Sequence, residues 1–303
     1  MTSDILRGSP LYRGRIAPTP TGHLHLGHFA TFRTAWERAR RAGGRLVYRN
    51  EDIDPQRCRV EFAEAARRDL RWAGLDWDEG PDVGGVHAPY DQSARRSWYR
   101  RALSQLRMGG WVYPCTCSRR DVLAAAGAPH ADEAEPVYPG TCRHGSEPPL
   151  DTPCCWRFRV PDGREVAFVD RRLGETRYTA GKDFGDFVVW RRDDAPAYEL
   201  AVVVDDIAMG ITEVVRGEDL LLSTARQILL YWVLGHTPPG WYHCALVKDA
   251  DGRRLAKRHR ALSLRELREN GVEATELPAL LESTGHVCGG SGDGETGKPA
   301  SGT

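Results

Sequence analysis

The chain has 303 residues, 42 basic and 42 acidic side chains and 41 % apolar residues, enough for a large core or two domains and too apolar for a disordered tail. Zero net charge argues against an indiscriminate nucleic-acid coat protein, whose binding energy comes from neutralising many phosphates at once, but leaves room for a local basic surface. Residues 1–10 do not resemble a signal peptide and the longest strongly apolar stretch, 228–234, is too short for a bilayer, so a soluble, cytoplasmic protein with no membrane partner is expected.

Residues 13–18 read as a short strand ending in proline. Residues 27–42 follow as a helix, with Phe29, Phe32, Ala35, Trp36 and Ala39 at helical spacing. A second strand is expected over 45–51, and helices over 60–74 and 91–108, the latter ending at Gly109-Gly110. Strands alternating with helices indicate an α/β fold with a doubly wound parallel sheet. From 111 to 178 the alternation lapses into a Cys-, Pro- and Gly-rich stretch with short β-like runs at 156–160 and 166–172, which reads as an inserted subdomain. It resumes with the apolar run 200–205, a helix over 223–234 and a strand over 242–248. The chain thus divides into 11–110, the first half of a nucleotide-binding catalytic domain; 111–178, the insertion; 179–260, the second half with a basic loop; 261–286, a helical segment; and 287–303, a Gly-, Ser- and Thr-rich tail.

The segment 17–28, APTPTGHLHLGH, lies between the first strand and first helix, where an α/β sheet presents its ligand crevice. Free backbone N–H groups and the helix dipole favour an anion there. Gly27 permits close approach, and His25 and His28 can donate to a phosphate. Two histidines three apart also suit zinc, and a plain surface turn is the bland alternative. A second segment, 251–258, is a glycine-containing basic loop that places Lys257, one of only four lysines against 38 arginines, among arginines. A compact charge on a flexible stem suits a leaving pyrophosphate; a solvated turn is the alternative.

Together, His25-Leu26-Gly27-His28 and Leu255-Ala256-Lys257-Arg258 resemble the paired signatures of class I aminoacyl-tRNA synthetases, with Ala256 and Arg258 standing where that family usually has serine or another small polar residue. The stretches 14–22, 49–55, 198–206 and 215–220 look like the catalytic domain of glutamyl-tRNA synthetases, in the family's order, so that the resemblance covers residues 12–260. It implies a Rossmann-like catalytic domain that binds ATP, with Mg2+, through His25, Gly27, His28 and Lys257. The catalytic residues would be His25, His28 and Lys257. It further implies an L-glutamate site made of Arg15, Ile16, Ala17, Pro18, Thr19, Glu51, Tyr198 and Arg216. The chemistry agrees: glutamate brings two carboxylates and one ammonium, which need cationic or hydroxyl donors and one acidic acceptor.

The 45 residues after Arg258 cannot build the helical anticodon-binding domains of full glutamyl-tRNA synthetases. A truncated form with a cysteine-rich insertion is similar to the glutamyl-queuosine tRNA(Asp) synthetase subfamily. That resemblance implies a monomer that activates glutamate without tRNA and attaches it to queuosine in the anticodon arm of tRNA(Asp). Arginine-rich stretches at 95–107 and 253–268 could hold stem phosphates, with solvated helix faces as the alternative. Cys115, Cys117, Tyr138 and Cys142 give three thiolates and a phenol within the insertion, a pattern that resembles the subfamily's structural zinc site, with His144 as the conventional alternative to Tyr138. Three reduced core cysteines are the non-metal reading. Cys58, Cys154, Cys155, Cys244 and Cys288 are expected to be packing or surface residues. The rival functions are a minimal glutamyl-tRNA synthetase charging an acceptor end, a small-molecule nucleotidyltransferase and a catalytically silent RNA-binding module.

Overall fold

The computed structural model describes residues 11–125, 137–145, 148–149, 152–247 and 263–283. Strand β1 (Arg13–Ile16) leads through the segment 17–25 into helix α1 (Leu26–Arg41), and β2 (Arg45–Tyr48) runs parallel to β1 in register Arg13↔Arg45 to Ile16↔Tyr48. Basic residues Arg38, Arg40 and Arg41 occupy the last turn of α1, where the helix dipole favours cations. Helices α2 (Val60–Trp72) and α3 (Arg96–Met108) follow. Next come β3 (Val112–Cys115), α4 (Arg119–Ala125), β4 (Cys155–Phe158), β5 (Glu165–Asp170), β6 (Gly174–Thr179) and β7 (Phe187–Trp190). Helix α5 (Tyr198–Ala208), β8 (Glu213–Gly217), α6 (Leu221–Val233), β9 (Gly240–Cys244), α7 (Leu264–Glu269) and α8 (Leu277–Ser283) complete the chain.

Among the described residues the strands form β1–β2, an antiparallel β3–β4–β7 and a mixed β6–β5–β9–β8. The expected α/β fold is present, and the expectation of a doubly wound parallel sheet is corrected to mixed sheets. Its parallel part is the pairs β2–β1 and β8–β9, with β5 added to β9 at one register position. The two pairs are joined where Thr212 donates its N–H to Arg13 O at 2.9 Å and Arg15 Nη1 donates to Val215 O at 2.7 Å. The antiparallel parts are the β3–β4–β7 sheet and the β5–β6 hairpin, whose turn is closed by Asp170 Oδ1 accepting from the backbone of Arg172 and Leu173, with Gly174 at φ 78°.

Strand pairing also cuts across the expected division at 178. Strand β5 meets the parallel sheet at Asp170↔Trp241, while β7, from the later segment, pairs with β4. The apolar run 200–205 lies inside α5 and supplies no strand. Leu200, Ala201, Val202 and Val203 are all fully buried, and a helix covered on every side gives the same unbroken apolar run as a buried strand.

One core layer packs Ile16, Phe29, Leu46 and Leu70 with Leu264, Leu277 and Leu281 of the C-terminal helices. The other packs Tyr99, Phe158, Val189, Leu200 and Leu229. The first layer brings α7 onto the start of α1: Leu264 donates to Leu24 O at 2.8 Å, and Ser263 bridges to His25. No described helix is long and apolar enough to cross a membrane.

Candidate active site and cysteine cluster

A cleft of about 420 Å³ opens at the carboxyl ends of β1, β8 and β9, against the start of α1. That is the ligand position of an open α/β sheet. It gathers Arg15, Ala17, Pro18, Thr19, His25, Gly27, His28, Glu51, Tyr198 and Arg216 from four separate stretches of sequence. Ile16 is not among them. Its side chain is fully buried in the core behind the cleft, as alternation along β1 requires once Arg15 faces the ligand side. Lys257, with the whole basic loop 251–258, lies outside the described residues.

The histidine pair is built into the helix start. His25 is the N-cap of α1 and its Nδ1 accepts from Gly27 N at 3.1 Å, while His28 Nδ1 accepts from His25 N at 3.2 Å. This reciprocal capping leaves the ring proton of each on Nε2. The rings lie 3.8 Å apart between centroids. A Cβ on Gly27 would come within 3.0 Å of the His25 ring, so glycine is what lets the ring fold back over the helix end.

The charges below the histidines are unevenly compensated. Glu51, 7 % exposed, accepts from Arg49 Nη2 at 3.0 Å; burial pushes its carboxyl up while Arg49 and Arg15 pull it back. Arg49 is fully buried, and its Nη1 also donates to Asp206 at 2.6 Å. Asp205 beside it accepts from Arg95, Gln92 and Tyr99. Arg15 reaches Asp206 only at 3.8 Å, and its Nε finds no acceptor among the described residues. Arg216, 4 % exposed, forms no ion pair among the described residues; its three contacts are the neutral acceptors Thr224 Oγ1 at 2.7 Å, Gln227 Oε1 at 2.9 Å and His243 Nε2 at 3.3 Å. A buried cation without an anion favours an anionic ligand. The cleft therefore suits a molecule carrying carboxylate toward Arg15 and Arg216 and a cation toward Glu51.

Outside the lining of this cleft, the sulfurs of Cys115, Cys117 and Cys142 lie within 4.8 Å of one another. Tyr138 Oη stands 3.3 Å from Cys115 Sγ and 3.5 Å from Cys117 Sγ, and accepts from Cys142 N at 2.9 Å. Thiolates at ~2.3 Å from a tetrahedral zinc stand roughly 3.8 Å apart, so this donor set fits such an ion. Hydrogen bonding from the Cys155 thiol, with Tyr138 and Arg157 adding to it, holds the Cys115 thiol down at about 3. Burial and the neighbouring sulfurs push the Tyr138 phenol up, so its oxygen would lose its proton only to a bound cation. His144 is absent from the cluster, whose fourth polar atom is the Tyr138 oxygen. Gly185 supports the Tyr138 loop closely enough that a Cβ would lie 3.0 Å from the backbone of Tyr138. Cys155 contributes a hydrogen bond to Cys115 O, while Cys58, Cys154 and Cys244 lie apart from the cluster; Cys288 lies outside the described residues.

Residues 12–288 match the family described as "tRNA synthetases class I (E and Q), catalytic domain". The chain belongs to that family. This class I synthetase is 53 % identical to the Glutamyl-Q tRNA(Asp) synthetase of Symbiobacterium thermophilum, over 86 % of the chain and 82 % of the relative, and 48 % identical to that of Nitratidesulfovibrio vulgaris, over 89 % and 85 %. It is 42 % identical to Glutamate--tRNA ligase 2 of Acidithiobacillus ferrooxidans, over 92 % of the chain but 59 % of the relative. A crystal structure of a glutamate tRNA ligase from Elizabethkingia meningosepticum in complex with its amino acid superposes with a TM-score of 0.72 at 31 % identity, covering 86 % of this chain and 53 % of that one. The chain thus spans about half the length of that solved ligase. Its membership of that family, together with these relatives, makes it a ligase-type enzyme.

Several polar residues of this synthetase escaped the motif reading. Arg49, Asp205 and Asp206 sit inside quoted stretches, and two acids ending an apolar run were a legible sign of a buried network. Asp170, Thr224, Gln227 and His243 gave no such sign, since the pairing of β5, β8 and β9 brings Asp170 and His243, and the packing of α6 brings Thr224 and Gln227, to Arg216.

Proposed function

We propose that this chain activates L-glutamate with ATP, without help from tRNA, and transfers the glutamyl group to queuosine in the anticodon loop of tRNA(Asp). The observation that carries the reading is the cleft itself: two weakly compensated buried arginines, Arg15 and Arg216, opposite the carboxylate of Glu51. The arginines would take the substrate's carboxylates and Glu51 its ammonium, with Tyr198 and the 17–19 backbone closing the pocket. In the first step a carboxylate oxygen of glutamate attacks the α-phosphorus, the bond to the bridging oxygen breaks, and pyrophosphate leaves with the electron pair. His25 and His28 would donate from Nε2 to the developing charge. Lys257 would meet the β- and γ-phosphates; it lies ten residues beyond Val247, which lines the cleft, and six before Ser263, which bridges to His25. Mg2+ would accompany ATP and neutralise phosphate charge. In the second step a queuosine hydroxyl attacks the acyl carbon, the bond from that carbon to the phosphate oxygen breaks, AMP leaves with the electron pair, and the hydroxyl proton passes to water.

The queuosine acceptor is favoured by the higher identity to the relatives named Glutamyl-Q tRNA(Asp) synthetase, 53 % and 48 %, than to Glutamate--tRNA ligase 2, 42 %. A zinc ion held by Cys115, Cys117, Cys142 and Tyr138 would cross-link β3 to the loop around Tyr138, a structural role. Activation is tested by glutamate-dependent exchange of pyrophosphate into ATP. The protein alone should support it, and Lys257→Ala should lower it by ~10²- to 10³-fold, as expected for losing one charge-stabilising donor. Exchange that appears only on adding tRNA contradicts this reading.

A further inference from the structure

Arg216 stands at the end of a buried chain of hydrogen bonds that begins on a different strand. Asp170, at the end of β5, accepts from four donors: the backbone of Arg172 at 3.0 Å and Leu173 at 2.9 Å on Oδ1, and His243 N at 2.9 Å and His243 Nδ1 at 2.7 Å on Oδ2. Both Asp170 and His243 side chains have no exposed surface. Four donors fix Asp170 as an anion, and its carboxyl is held below the usual range. His243 Nδ1 must therefore carry the ring proton. That leaves the Nε2 lone pair to accept from Arg216 Nε at 3.3 Å and from the Thr224 hydroxyl at 2.9 Å. Burial favours the neutral ring, as does the adjacent cation.

The arrangement separates orientation from neutralisation. A carboxylate in direct contact with Arg216 would fix its plane but cancel the charge that an anionic ligand needs. Here an imidazole stands between them, so the guanidinium is fixed by neutral acceptors on three of its nitrogens and keeps its charge for the cleft. Register enforces this: Arg216 and His243 are paired on the parallel strands β8 and β9, and Asp170 pairs with Trp241 two residues before His243.

We propose that Asp170 and His243 are positioning residues that aim Arg216 at a substrate carboxylate. The proposal rests on the assignment of Arg216 to the glutamate pocket. Two substitutions at His243 separate orientation from bulk packing. In His243→Gln the amide oxygen can stand near the Nε2 position and accept from Arg216; in His243→Asn the shorter amide can meet Asp170 but not Arg216. Asp170→Asn puts a donor against one of the four N–H groups whichever way the amide turns. Thr224→Val, close in shape to threonine, removes one acceptor of Arg216 and serves as a second variant with little risk to folding.

The measurement is steady-state pyrophosphate exchange by the full chain, with KM for glutamate and for ATP determined separately. His243→Asn, Asp170→Asn and Thr224→Val should raise KM for glutamate by about two- to tenfold, the size of one lost hydrogen bond, with KM for ATP unchanged. His243→Gln should restore most of the glutamate affinity lost in His243→Asn. Unaltered glutamate KM in His243→Asn and Thr224→Val, or equal shifts for glutamate and ATP, overturns the proposal while leaving the pocket assignment standing. A wild-type chain whose exchange does not respond to glutamate overturns the pocket assignment, and this proposal with it.

Discussion

Arg216 and Glu51 are both nearly buried ions, yet their environments prepare them for different partners. Glu51 already touches Arg49, so a substrate ammonium there adds to an existing pair. Among the described residues Arg216 hydrogen-bonds only to neutral acceptors, with Glu199 one hydrogen bond away behind Gln227, so an entering anion would make its first direct ion pair. Arg216→Lys keeps the charge but cannot span three acceptors and a ligand from one plane. It should raise KM for glutamate about 10²-fold, in line with the ~3 kcal/mol at the upper end for a charged hydrogen bond, with little change for ATP; the two KM values from pyrophosphate exchange check this, and an equal loss for both substrates would deny Arg216 its role. Arg15, Glu51 and Arg216 were legible because each stands in a motif whose chemistry demands its type. Ile16 shared such a motif, yet alternation along β1 turns it to the core. Arg95, read as one of a set of phosphate-holding arginines, is fully buried against Asp205; the exposed members of that stretch are Arg96, Arg100, Arg101 and Arg107. A helical run of arginines does not by itself declare which one faces inward.

At the scale of elements, two short stretches do double duty. The start of α1 uses its histidines as caps as well as cleft residues, which spacing alone concealed because histidine is not an ordinary N-cap. The end of β3 and the Tyr138 loop meet through the cysteine cluster, with Gly185 beneath. Cysteine spacing in the sequence supplied the candidates, and the fold places the Tyr138 oxygen, rather than His144, beside the sulfurs. If zinc joins these elements, metal analysis should return about one ion per chain. Cys117→Ser should lower that content and loosen the insertion, while Cys244→Ser, on β9, should leave the metal in place. Full zinc occupancy in a Cys115→Ser, Cys117→Ser double variant would refute the ligand set. Helix α5 was the least legible element, since burial of Leu200 to Val203 erases the period that separates helix from strand.

For the molecule as a whole, strand–helix alternation pointed to an α/β fold, and the cleft lies where that architecture puts ligands, at the carboxyl ends of β1, β8 and β9. The mixed sheet was not legible. The pairing of β5 with β9 joins residues 71 positions apart at Asp170↔Trp241, a choice made by packing rather than by any local pattern. The central claim, that glutamate activated in this cleft is delivered to a modified base, is tested most directly by one measurement. The protein is incubated with ATP, glutamate and tRNA(Asp), with or without queuosine, or with a short anticodon stem-loop carrying it, and the nuclease fragments are weighed by mass spectrometry. Single-stranded loop bases can splay into a pocket as duplex bases cannot. The account predicts one glutamyl group on the queuosine-containing anticodon fragment, from the stem-loop as well as the whole tRNA, and none without queuosine; glutamate on the 3′-terminal adenosine instead would contradict it.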